Sequence, residues 1–178
     1  MRIHLIGSPG AGKTTIGALL SASLKYKFIE LDVLYWQNNW QRLPDSLFQA
    51  KFRSAIAQSD SWLVAGTYPQ VADIVFEEAD AVVFLAVPKS TAFFRVLKRS
   101  VINAICRKEL WNGNRETLGR LLSADSMPMY TLRTHNHFDQ MRQSMRARCE
   151  THSKAYVEAD GRMAPVDVVG FLQSVVGT

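Results

Sequence analysis

The start of the chain carries the pattern that most constrains its fold. Residues 7–14, Gly-Ser-Pro-Gly-Ala-Gly-Lys-Thr, fit G-x-x-x-x-G-K-[ST] at every position, the pattern of a phosphate-binding P-loop. Its glycines let the backbone curl around an anion so that successive N–H groups point at phosphate oxygens. The flanks agree, because 2–6 is typical of a strand and 13–24 of a helix whose N-terminus faces the anion. We therefore expect a bound nucleoside triphosphate; the alternative is an ordinary glycine-rich turn.

The motif also assigns individual roles. Lys13 supplies a positive charge to the outer phosphates, and Thr14 offers a hydroxyl to Mg²⁺. The apolar run 81–87 ends without a carboxylate, so no Walker-B acid is evident, and Asp32 is the candidate to hold a water on the metal. The predicted nucleotide-binding residues are Gly7, Ser8, Pro9, Gly10, Ala11, Gly12, Lys13, Thr14 and Thr15.

Length and composition indicate one globular domain. The chain has 178 residues, of which 47% are hydrophobic and 21% charged, enough for a sizeable core over 1–178. The first strand follows Met1 directly and no apolar run reaches the length of a membrane span, so we expect a cytoplasmic protein without a membrane segment. The formal charge of +5 is compatible with nucleic acid, yet a polyphosphate-binding protein needs surplus Arg and Lys in any case.

Apolar runs alternate with helical stretches, which predicts an α/β fold with a parallel sheet covered on both faces. Ligands of such sheets bind where the strands end, so residues just after each strand matter most. His135 and His137 are interpreted as solvated or capping residues at a helix end rather than metal ligands. Strands are predicted at 2–6, 27–31, 62–66, 81–87 and 154–158, and helices at 13–24, 45–58, 69–77, 90–106, 116–134, 138–150 and 165–176.

Candidate acceptor residues follow the second and third strands. Asp32 is placed to take a proton from a substrate hydroxyl, although a helix-capping or turn role is the alternative. Aromatic rings in the segment 34–40 either stack on a flat acceptor or pack in the core. Gly66 would permit close approach of a ligand at the end of the third strand. The predicted acceptor residues are Asp32, Tyr35, Trp36, Gly66, Thr67 and Tyr68.

Arginines supply the remaining candidates. The polar, glycine-containing stretch 107–115 interrupts the helical pattern and predicts a lid over ATP, with a solvated surface loop as the alternative. Arg95 and Arg99 stand one helical turn apart on a face predicted to point toward this lid. Together with Arg115 they are candidates to stabilise a transferring phosphoryl group; an exposed basic face is the alternative for the pair.

At this point the chain resembles small bacterial P-loop proteins called DNA topology modulation proteins, which look like relatives of adenylate kinases. The resemblance covers most of the chain and rests on the P-loop, on Leu-Asp-Val-Leu-Tyr-Trp at 31–36, on Gly-Thr-Tyr at 66–68 and on Leu-Trp-Asn-Gly-Asn-Arg-Glu at 110–116. It implies a nucleotide-kinase-like P-loop fold in three layers, a five-stranded sheet ordered 2-3-1-4-5 with a lid, and ATP as donor. Two positions depart from the expected patterns: Ala65 replaces an aspartate of adenylate kinases, and Thr67 replaces a common asparagine.

The sequence thus favours an ATP-dependent kinase that acts on a small hydroxylated metabolite or a nucleotide. One rival is a nucleotide-binding regulator with weak or no ATPase activity, which the absent Walker-B acid would suit. A second rival is a protein that acts on DNA, although no DNA-binding motif stands out.

Overall fold

A five-stranded parallel sheet forms the centre of the molecule. The computed structural model describes residues 1–121, 123 and 126–176. Every ladder between neighbouring strands is parallel, and the order β2-β3-β1-β4-β5 confirms the predicted topology. The strands are β1 (Arg2–Gly7), β2 (Lys27–Glu30), β3 (Trp62–Ala65), β4 (Ala81–Ala86) and β5 (Ala155–Asp160).

Helices connect the strands and cover the sheet. They are α1 (Lys13–Leu24), α2 (Leu31–Tyr35), α3 (Asp45–Ile56), α4 (Pro69–Glu78), α5 (Lys89–Ile105), α6 (Leu118–Leu121), α7 (Met127–Thr151) and α8 (Pro165–Val176). Among the described residues, no helix has both the length and the apolar character that a bilayer crossing requires.

The prediction of two helices at 116–134 and 138–150 is wrong. The structure has the short α6 and then one long helix, α7, which runs through the expected break. His135 and Phe138 are buried in the middle of α7, so the polar residues there do not end a helix, and His135 is not a solvated cap. Pro128 lies in the first turn, where a missing N–H costs nothing, and this fits the start at Met127.

The two faces of the sheet carry separate sets of helices. Ile3 and Leu5 of β1 belong to a buried cluster that includes residues of α1 and α8. Ile6 instead packs with Phe76 of α4 and Cys149 of α7. Burial on both faces explains why the central strands read as continuous apolar runs. The result is a three-layer arrangement in which the P-loop, α2 and the segment after β3 all leave the same edge of the sheet.

Candidate active site

The P-loop is a tight turn between β1 and α1. Gly10 has φ +80°, and a Cβ atom there would lie 2.5 Å from the carbonyl oxygen of Ala92 in α5. Gly12, with φ +96°, caps α1, which begins at Lys13. Both positions therefore require glycine, for conformation at both and for space at Gly10. The loop and the N-terminus of α1 form the anion-binding arrangement that the motif predicts.

The Lys13 amine is folded over the loop. Its Nζ donates hydrogen bonds to the carbonyl oxygens of Gly7, at 2.8 Å, and Ser8, at 2.9 Å. Burial lowers the pKa of Lys13 to about 8; the nearby charge of Asp32 opposes this shift and that of Arg99 adds to it. The amine is still mostly protonated at neutral pH, and its charge is held where phosphates would enter.

Glu30 is a site residue that the sequence reasoning missed. Its Oε1 accepts a hydrogen bond of 2.5 Å from the Thr14 hydroxyl, and its charge acts on Lys13. A carboxylate as the last residue of β2, at the edge where ligands of parallel sheets bind, is the signal that could have identified it.

The oxygen donors around Thr14 fit Mg²⁺. A hydroxyl beside a carboxylate matches the metal's preference for hard ligands. In the described part of the chain, no group of three or more His, Cys, Asp or Glu side chains could form a protein cage for a metal.

Asp32 lies in the first turn of α2, since β2 ends at Glu30 and not at residue 31 as predicted. Its Oδ1 accepts a hydrogen bond from the hydroxyl of Tyr68. Burial, with the charge of Asp32 next, holds the pKa of Tyr68 far above its usual value. Tyr68 therefore stays protonated and fixes the Asp32 carboxylate close to Lys13.

The predicted aromatic residues divide into two environments. Tyr35 is buried, with its ring centroid 5.0 Å from that of Phe48 and 4.5 Å from that of Tyr68. Trp36 is half-buried and forms a T-shaped contact with Trp40, with ring centroids 5.6 Å apart. Core packing thus accounts for Tyr35, whereas Trp36 lies at the border between the core and the site.

Gly66 and Thr67 follow β3. Gly66 has φ +127°, and a Cβ atom there would lie 3.1 Å from the Cβ of Leu31, so the close approach at this glycine is made by α2. The Gly66 carbonyl accepts a hydrogen bond of 2.9 Å from His4 Nε2. The buried Thr67 hydroxyl has no partner in the described part of the chain.

Residues of the predicted lid are attached to the segment after β2. Asn114 donates to the Gln37 carbonyl at 2.8 Å and accepts from the Trp40 N–H at 2.6 Å. Asn112 donates to the carbonyls of Val33, at 2.9 Å, and Trp36, at 2.5 Å. We call these contacts of Asn112 and Asn114 the amide clasp. It joins stretch 107–115 to the acceptor side of the site.

The three predicted arginines lie in different surroundings. Arg99 acts electrostatically on Lys13. Arg95 donates from Nη1 to the Gly161 carbonyl at 2.6 Å, in the loop after β5. Arg115 pairs with Glu109 at 4.0 Å. Arg99 and Asp32 thus both act on the charge of Lys13, whereas Arg95 and Arg115 are held by other partners.

Basic residues of α7 take part in ion pairs rather than forming a free basic face. Arg142 and Arg146 lie 3.1 Å and 3.9 Å from Glu158. Arg148 lies 2.9 Å from Asp73.

Comparison with known protein families places this site in a P-loop kinase context. A family model described as shikimate kinase matches residues 9–64, from the P-loop to β3. The uncharacterized protein YqaC of Bacillus subtilis is 26% identical over 98 residues, which are 54% of this chain and 55% of YqaC. A shikimate kinase of Clostridium botulinum is 42% identical over 48 residues, 27% of this chain and 28% of that protein. The alignments therefore span about half of one relative and under a third of the other.

Solved structures show the same architecture over the whole chain. Deoxyadenosine kinase from M. mycoides with bound dATP has a TM-score of 0.59 at 13% identity, covering 100% of both chains. The same enzyme with dCMP and a flexible dCDP has a TM-score of 0.59 at 15% identity, covering 99% of each. The chain has the fold of these P-loop nucleoside kinases. The family match adds that residues 9–64 are similar to the corresponding part of shikimate kinases.

Proposed function

We propose that the chain is an ATP-dependent kinase that phosphorylates a hydroxyl of a small acceptor held near Asp32, Trp36 and Tyr68. The observation that carries this proposal is the position of Asp32. Its carboxylate lies within electrostatic reach of the P-loop lysine and is oriented by the Tyr68 hydroxyl. A carboxylate beside the phosphate site is what transfer to a hydroxyl needs, because such transfer depends on positioning and charge more than on covalent chemistry.

The proposed step is a direct transfer. Asp32 takes the proton of the acceptor hydroxyl while the acceptor oxygen forms a bond to the γ-phosphorus. The bond between that phosphorus and the oxygen bridging to the β-phosphate breaks, and ADP leaves. Lys13 and Arg99 offset the negative charge on the phosphates, and Arg95 of α5 and Arg115 of the lid would join them once the lid closes.

Mg²⁺ on the Thr14 hydroxyl would neutralise phosphate charge, and Glu30 and Asp32 are the carboxylates that could hold its waters. The backbone N–H groups of residues 7–14, with Thr15, bind the phosphates in this proposal.

We also propose that the chain is a relative of the DNA topology modulation proteins that it resembles. The rival regulator predicts nucleotide binding without stimulation by any acceptor. A role on DNA predicts salt-sensitive retention on DNA through the surplus Arg and Lys. Three of these residues, Arg142, Arg146 and Arg148, already form ion pairs with carboxylates.

Measurement of ATP consumption with Mg²⁺ against an acceptor panel tests the proposal. The panel holds nucleosides, nucleoside monophosphates and small hydroxylated metabolites, including deoxyadenosine and shikimate because the matched proteins carry those names. We expect one acceptor class to stimulate turnover, and Asp32→Asn to lower that turnover about 10²-fold to 10⁴-fold.

Two further variants make the test specific. Lys13→Ala should abolish turnover, whereas Asp45→Asn, the same change at an exposed carboxylate in the first turn of α3, should leave it unchanged. Tight ATP binding with no stimulation across the panel would favour the regulator instead.

A further inference from the structure

A small cavity lies behind Tyr68, between the sheet, α4 and α7. Its volume is about 70 Å³. A cavity of about 150 Å³ holds benzene, so this one has room for about three or four non-hydrogen atoms. Most of the wall is apolar, and it includes side chains of His4, Thr67, Tyr68, Ala72, Met141 and Met145.

Two polar atoms of the wall residues lack hydrogen-bond partners among the described residues. They are Nδ1 of His4, a side chain with only 3% of its surface exposed, and the hydroxyl oxygen of Thr67. An unpartnered buried polar group is destabilising, so a ligand group that bonds to these atoms would be favoured.

The chemistry of His4 defines what this group must be. Its Nε2 bonds to the Gly66 carbonyl, which can only accept, so Nε2 carries the proton. Burial keeps the ring neutral, and Nδ1 is then a bare acceptor. The occupant must therefore offer an O–H or N–H donor. Among the described residues that line the cavity none is positively charged, so an anionic group would be excluded.

The cavity adjoins the candidate acceptor carboxylate. Tyr68 forms part of its wall and also bonds to Asp32. Leu31, the residue before Asp32, lines it as well. A substituent in the cavity would therefore lie behind Tyr68, one side chain away from the Asp32 carboxylate.

We propose that this cavity is a subsite of the acceptor-binding site. It takes a neutral substituent of the acceptor, with three or four non-hydrogen atoms and one O–H or N–H donor. The identity of the occupant as the acceptor rests on the proposed kinase function. The existence of the subsite does not, because it follows from the cavity and its unpartnered atoms.

Fragment binding without ATP tests the subsite. The probes are acetamide, which has N–H donors, and acetone, which has the same shape and no donor. Binding is followed by NMR through the methyl groups of Met141 and Met145. We expect saturable shifts with acetamide and about threefold to tenfold weaker binding of acetone, the effect of one hydrogen bond. Linear shifts without saturation, or equal binding of both probes, would overturn the proposal.

Variants locate the binding. Ala72→Leu fills the cavity from α4 and should abolish the saturable shifts, whereas Ala147→Leu, the same change at an exposed position of α7, should not alter them. Thr67→Val keeps the side-chain shape but removes the hydroxyl, which can donate to the carbonyl oxygen of either probe, so it should weaken acetamide several-fold. Persistence of the shifts in Ala72→Leu would contradict the assignment.

The link to the acceptor is tested separately. In turnover assays with the acceptor that the panel identifies, acetamide should compete with that acceptor and not with ATP. Competition with ATP alone would refute the link. A chain that binds acetamide yet shows no kinase activity would refute the proposed function and leave the subsite standing.

Discussion

The buried histidine of β1 makes the stability of this protein depend on pH in a predictable direction. His4 is buried beneath the site, and burial lowers its pKa from 6.5 to about 4 although its bond to Gly66 opposes the shift. As the pH falls below the pKa that His4 has in the unfolded chain, the unfolded chain binds a proton there and the folded chain does not. The free energy of unfolding therefore decreases between the two pKa values, and it does so because charging the ring inside the core is unfavourable.

The magnitude follows from the size of the shift. Each pKa unit corresponds to about 1.4 kcal/mol, so His4 alone removes about 3 kcal/mol between about pH 7 and pH 4. This is a large part of the stability of a typical domain, which is about 5–15 kcal/mol.

Urea unfolding followed by tryptophan fluorescence, across this pH range, measures the effect. The variant His4→Gln keeps an amide donor for Gly66 and cannot ionise, so its stability relative to wild type should rise by about 3 kcal/mol as the pH falls. His137→Gln, at an exposed position of α7, is the matched control and should track wild type. Parallel curves for wild type and His4→Gln would refute the reasoning, as would an NMR titration of the His4 ring near its ordinary pKa.

Three further outcomes follow from the site. Gly10→Ala should abolish nucleotide binding and destabilise the fold by about 1–3 kcal/mol, because its Cβ would meet the Ala92 carbonyl oxygen; calorimetry and thermal unfolding check this. Asn114→Ala should cost about 1–3 kcal/mol in urea unfolding by leaving clasp backbone groups unsatisfied, and Asn136→Ala on the exposed side of α7 should cost less than about 0.5 kcal/mol. The affinity for ATP should fall as the pH rises past about 8, because Lys13 loses its proton there in the protein without nucleotide. Calorimetric titration with ATP at pH 7 and pH 9 measures the change.

The sheet and the nucleotide side of the site could be predicted because their signals are local. The P-loop pattern fixes a turn and a helix start within eight residues, and continuous apolar runs mark strands buried on both faces. The strand order, by contrast, was predicted from the resemblance to a family, because the periodicity of apolar residues does not specify it.

The features that were missed depend on contacts distant in sequence. The Thr14 and Glu30 side chains meet only when β2 is placed two strands from β1, with β3 between them, and Glu30 alone reads as one polar residue in an apolar run. The helical break expected near residue 135 failed because tertiary burial of His135 overrides the local polar pattern. Arg95 and Arg99 share a helix, yet the direction of each side chain depends on neighbours that periodicity does not specify.

The amide clasp is formed with main-chain atoms, so it constrains little of the sequence on the acceptor side of the site. Asn112 and Asn114 bond to backbone groups of residues 33–40, which every amino acid in that stretch would present, apart from the N–H that proline lacks. Substitutions of Trp36 or Gln37 can therefore reshape the acceptor side without undoing its attachment to stretch 107–115. A lineage can thus change what the site accepts while keeping the same joint between its two halves.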